Sequence, residues 1–308
     1  MKLAALAALA LVLVLPAAAA SPKAPTIAGC PVFPATSVWN QAVDKLPVAA
    51  NSAQMIASIG VDSSLHPDFG SGLYDGSQIG IPYVVVHGAK IPKSRVKFDY
   101  ADESDQGPYP IPRNVPIEGQ PHPNDGDRHA LIVDEDSCRL YELYALQHTA
   151  SGWTAGSGAI WSLRSNKLRP AGWTSADAAG LPILPGLARW ADAATGAINH
   201  ALRFTASRTR KTYIYPARHF ASSDSDPSLP PMGLRVRLKA SVNISSFPLQ
   251  ARIVLTALKK YGMILADNGS PWYISGAPNS HWSNDQLHSL SRLTGDDFEV
   301  VDTSKLRP

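Results

Sequence analysis

Several familiar signatures are missing from this chain. No histidine pair has the H-E-x-x-H spacing of a zinc hydrolase, no serine sits in a G-x-S-x-G elbow, and no acidic run has EF-hand spacing. No glycine-rich nucleotide fingerprint follows a strand-like segment. Beyond the first residues, no apolar stretch approaches the length of a membrane span. Net charge is only +3 and aromatics make up 8% of the residues. That balance excludes a nucleic-acid-binding tail and a disordered chain. Cysteine is scarce, with two in 308 residues.

What is present starts with "MKLAALAALALVLVLPAAAASPKAP". Lys2 precedes an apolar run from Leu3 to Leu15, and Ala18 and Ala20 occupy A-x-A positions. This is the form of a secretory signal peptide with cleavage near Ala20, and the run is too short to span a bilayer. Residues 21–308 are then expected to be exported, to an extracellular or periplasmic location, as a single domain without a transmembrane segment. In an exported chain two cysteines most often pair, so a Cys30–Cys138 disulfide is expected. It would close a loop of about a hundred residues and stabilise the fold by roughly 3–5 kcal/mol. The rival reading takes "IAGC" (27–30) as a lipobox with Cys30 lipid-anchored. The lysine and prolines of "SPKAPT" between it and the apolar run argue against that.

Proline and glycine are frequent, 26 and 22, and they punctuate many short strand-like runs. The clearest are 81–87, 95–100, 128–134, 138–146, 158–163, 200–206, 211–217, 233–240, 262–268, 271–276 and 298–302. Three helices are expected, over 51–60, 248–262 and 283–295. The pattern predicts an all-β, mainly antiparallel fold: a β-sandwich of jelly-roll type with a few short peripheral helices. Segments 101–127 and 164–199 read as long loops, which on a β scaffold usually carry function.

The run "GDRHALIVDEDSCRLYELYALQ" (126–147) reads as a hairpin. With the turn centred on Glu135 and Asp136, Val133 faces Cys138, Leu131 faces Leu140 and His129 faces Glu142, all on one side of the sheet. Opposed residues have Cβ atoms roughly 4.5–5.5 Å apart. A carboxylate among apolar groups and tyrosines, tuned by an imidazole, suits acid/base work near neutral pH. Glu142, Asp127 and His129 are therefore the candidate catalytic residues, with Asp267 as a substitute carboxylate. The bland alternative is a satisfied buried ion pair.

The candidate substrate contacts are His200, Arg203, Trp161, Trp173 and Tyr144. His200 shares a strand face with Leu202 and Phe204, the arrangement of either a core histidine or a cleft residue. Tryptophan is abundant between Trp153 and Trp190, and aromatic faces stack on sugar rings; the alternative is core filling. Acids dominate from Asp99 to Asp136 and bases from Arg203 to Lys239. The bases form either a solvated strand face or a basic groove for an anionic polymer. No zinc-type ligand set is expected and no cofactor is required, though "DESDQG", "DEDS" and "SSDSDP" could each hold calcium.

The runs "GDRHALIVDEDSCRLYELYAL", "RPAGWTSADAAGLPILPGLARW", "NHALRFTA", "PPMGLRVRLKAS" and "ALKKYGMILADNG" resemble a group of uncharacterised secreted bacterial proteins. The resemblance implies a self-contained domain; it transfers no activity, cofactor or catalytic residue. Three functions follow from the residues. The first is a glycoside hydrolase using two carboxylates on a polysaccharide. The second is a lyase on a uronic-acid polymer, with the basic segment, His200, His219 and Tyr213 engaged. The third is a non-catalytic carbohydrate-binding or envelope protein.

Overall fold

The structure, a computed structural model, describes residues 24–122 and 126–306; the expected signal peptide lies outside them. Among the described residues no helix is long and apolar enough to cross a membrane. The fold is β-rich with short helices, as the sequence pattern predicts.

Two sheets position everything that follows. The first is four-stranded, in the order Ser157–Ser162, Arg139–Tyr144, Ala130–Asp134, Tyr83–Val86. One of its faces buries Leu131, Val133, Leu140 and Trp161 against Ile183, Leu184 and Leu187. The other buries Ile132, Tyr141 and Leu143 against Phe98, Tyr109 and Ile117. Covered on both sides, Ala130–Asp134 is fully buried, which explains an unbroken apolar "ALIV" where a surface strand would alternate.

The second sheet has six strands, in the order Phe298–Val300, Arg235–Leu238, Met263–Asn268, Leu202–Ala206, Tyr273–Ser275, His66–Asp68. Helix Leu249–Lys260 buries Val254, Leu255 and Leu258 in the core of this sheet. Both sheets are mixed: Leu202–Ala206 runs parallel to Met263–Asn268, Tyr273–Ser275 to His66–Asp68, and Tyr83–Val86 to Ala130–Asp134. The expected helices occur as Ser52–Ile59, Leu249–Lys260 and Asn284–His288, the last prolonged by a 3-10 turn. The segment 211–217 is not a strand; it makes one isolated bridge, Tyr213 to Met232.

The Cys30–Cys138 disulfide is present, with Cα atoms 5.4 Å apart across a sequence separation of 108. It ties the segment Cys30–Pro31 to the end of the hairpin loop.

Candidate functional site

The hairpin turns one residue later than its sequence suggests. Asp134 pairs with Arg139, leaving a loop of Glu135 to Cys138, and the register runs Val133 to Leu140 and Leu131 to Glu142. The cause is local. The Asp134 carboxylate accepts hydrogen bonds from the backbone N–H groups of Gly88 and Asp136 and from the Ser137 hydroxyl, which fixes the longer loop. Cys138, at φ 50°, closes it. The shift is even, so the strand faces are kept while the partners change. His129 does not pair with Glu142; its ring lies 5.8 Å from that of Tyr144.

Glu142 is sealed in the core. Its oxygens accept the N–H groups of Ile183 and Leu184, both at 2.9 Å, and the Trp161 indole N–H at 3.1 Å. Burial pushes its carboxyl up to about 7, against the pull of these donors. His129 is equally enclosed. Its Nδ1 lies 2.6 Å from Oε2 of Glu118 and its Nε2 lies 2.9 Å from the Ala176 carbonyl. Both ring nitrogens face acceptors, the arrangement of an imidazolium. Burial opposes that charge, but the Glu118 carboxylate outweighs it and holds the ring up to about 9.

The open space lies beside this core. A cavity of about 320 Å³ is lined by Tyr144 from the first sheet, Asp267 from the second, and Glu103, Asp127, Asp177 and His219 from the segments that connect strands. The backbone delivers Asp267 there by a bulge. Phe204 pairs with Leu265 but Thr205 pairs with Asp267, so Ala266 is an extra residue that breaks the side-chain alternation. Asp127 stands exposed at the rim. Below, Arg203 grips Asp177 with Nε at 3.1 Å and Nη2 at 2.8 Å, while Asp267 Oδ2 lies 3.6 Å from the same Nη2. Burial, and then the charge of Asp177, hold the Asp267 carboxyl well above the usual carboxylate range. Asp267 is thus a carboxyl on a cavity wall whose surroundings favour its protonated form. His219 Nδ1 lies 2.7 Å from the Ala178 carbonyl, which places its proton there and leaves Nε2 3.9 Å from Glu103.

Asp127 and Tyr144, then, line this cavity; Glu142, His129, His200, Arg203, Trp161 and Trp173 do not. His200 is buried, with Nε2 3.5 Å from Asp192. Trp161 and Trp173 flank the Arg169 guanidinium, at 5.6 and 5.4 Å from its carbon. Three bases of the basic segment, Arg203, Arg235 and Arg237, turn inward. Besides Arg203, Arg235 is buried against the carbonyls of Tyr261, Val38 and Gln41, and Arg237 pairs with Glu299 at 2.8 Å. The acidic runs serve their own loops: Asp224 and Asp226 accept backbone N–H groups two residues on. Among the described residues no group of three or more His, Cys, Asp or Glu side chains is disposed to hold a metal ion.

Asp177 and Glu118 escape a reading of the sequence by pattern. Asp177 carried one usable signal: it is the only charged residue between Thr174 and Ala188. A lone acid in an apolar loop needs a buried partner.

No protein family, curated protein or solved structure matches the chain. The chemistry of the cavity is therefore the guide to function.

Proposed function

We propose that the protein is a secreted carbohydrate-active enzyme, a glycoside hydrolase that cleaves a neutral polysaccharide. The observation that carries this reading is that two carboxyls in unlike surroundings line one cavity, Asp267 enclosed beside Asp177 and Asp127 exposed. Asp267 would protonate the leaving glycosidic oxygen, and Asp127 would act as base or nucleophile. Tyr144 would contact the sugar. Asp177 is a positioning residue whose charge favours the proton on Asp267, and Arg203 holds Asp177 in place. The Cys30–Cys138 bridge supports export to an oxidising compartment. The expected jelly-roll sandwich plays no part in this reading, which rests on the cavity.

The charge of the cavity favours hydrolase over lyase. A lyase needs a cation to neutralise the substrate carboxylate, and this lining supplies acids, with Arg203 already held by Asp177. A cavity with this lining repels uronates. The test is a polysaccharide panel assayed for reducing ends and for near-ultraviolet absorbance, with Asp267→Asn and Asp127→Asn variants alongside. Reducing ends that fall by roughly 10²–10⁴ in each folded variant support the proposal. Absorbance of an unsaturated product would move the case to a lyase. Binding without any product would leave a carbohydrate-binding protein.

A further inference from the structure

A second cavity, of about 560 Å³, opens at the edge of the six-stranded sheet. Its wall is built by strand geometry. His66 and Tyr273 are register partners on neighbouring parallel strands, so their rings stack, with centroids 4.0 Å apart and planes at 22°. Asp68 lies two residues after His66 and shares its face of the edge strand. Glu118 and Tyr74 complete the wall. Tyr74 is 78% exposed, the most exposed large apolar side chain among the described residues. Asn284 holds the margin, exchanging hydrogen bonds of 2.9 Å with the backbone of Ser71.

We propose that this cavity is a second, separate saccharide-binding site, in which the His66–Tyr273 stack and Tyr74 cover a sugar face while Asp68 and Glu118 accept its hydroxyl hydrogens. The combination is what a neutral sugar needs: a flat aromatic surface for its C–H face and carboxylate oxygens for its rim. Two carboxylates on the wall disfavour an anionic sugar. The acids are not equivalent. His129 holds Glu118 below its ordinary range although burial opposes this; enclosure and the neighbouring charge of Glu118 raise Asp68. The site also adjoins the first. Glu118 lines the second cavity and Ala176 the first, and the His129 ring joins them by one hydrogen bond to each.

This inference rests on the carbohydrate reading, and one experiment separates their failures. The Asp267→Asn protein, which should not consume substrate, is titrated with cellohexaose, xylohexaose, mannohexaose and chitohexaose. Affinity is measured by calorimetry, and the His66 ring protons are followed by NMR. Movement of the His66 signals by one hexasaccharide, with affinity at that site falling about tenfold on adding Tyr273→Ala, supports the second site. His66→Ala, at an exposed position, serves as the control for misfolding and should weaken the same event; Tyr273→Phe should preserve it. A hexasaccharide that binds without moving His66, and with affinity indifferent to both alanine variants, overturns the second site and leaves the first cavity standing. Failure of every hexasaccharide to bind overturns both.

Discussion

Oδ1 of Asp177 lies 2.8 Å from Nη2 of Arg203, with the two side chains 0% and 5% exposed. This pair lies beneath the first cavity, which Asp177 lines and Arg203 does not, and its burial makes it costly to break. Arg203→Met should destabilise the protein by about 3–5 kcal/mol, because Asp177 would be left charged and unpaired. Urea unfolding of the two proteins measures this. A loss under about 1 kcal/mol would mean that water reaches the pair.

The same pair sets the alkaline limb of catalysis. A general acid works only while protonated, so hydrolysis should fall as pH rises through the raised pKa of Asp267. Asp177→Asn removes the neighbouring charge and frees Arg203 to attract the Asp267 carboxylate. The falling limb of the kcat/KM profile should then move to lower pH, whatever the loss in rate. A limb that stays in place would detach Asp267 from its proposed role.

Glu142 makes a prediction about stability. Its carboxyl is raised from 4.5 to about 7 on folding, so the folded state binds this proton more tightly. The contribution is complete below about 4.5 and is lost as pH rises towards 7. Glu142→Gln should remove this part of the pH dependence of unfolding. Equal slopes for wild type and variant between pH 4.5 and 7 would show that Glu142 is ionised throughout that window.

His129 should be doubly protonated at pH 7.5, since Glu118 holds its pKa near 9. Its stabilisation is full below 6.5 and is lost as pH passes about 9. Nitrogen-15 chemical shifts of the ring report this directly. In Glu118→Gln the ring should titrate at lower pH. A wild-type ring that is neutral at pH 7.5 would contradict the ion pair.

The core strands, the main helix and the disulfide were legible because each leaves a local mark: apolar runs, a Pro and a Gly around a helix, two cysteines. The hairpin register was not, because Asp134 chooses the loop by bonding Gly88 from another strand end. Nor was the partner of His129, since Glu118 arrives from a proline-rich loop whose path no periodicity describes. The basic run misled for a related reason. Charge in a sequence does not say whether a guanidinium faces water or carbonyl groups, and Arg235 faces carbonyl groups.

The extra residue at Ala266 makes the first cavity a matter of chain length as well as composition. A substitution there changes one side chain and leaves the others aimed as before. A one-residue deletion would restore alternation along Met263–Asn268 and rotate Asp267 away from Asp127. A descendant of this chain could keep every acid of the cavity and still lose the pair they form, by a change that comparison of residue types alone would pass over.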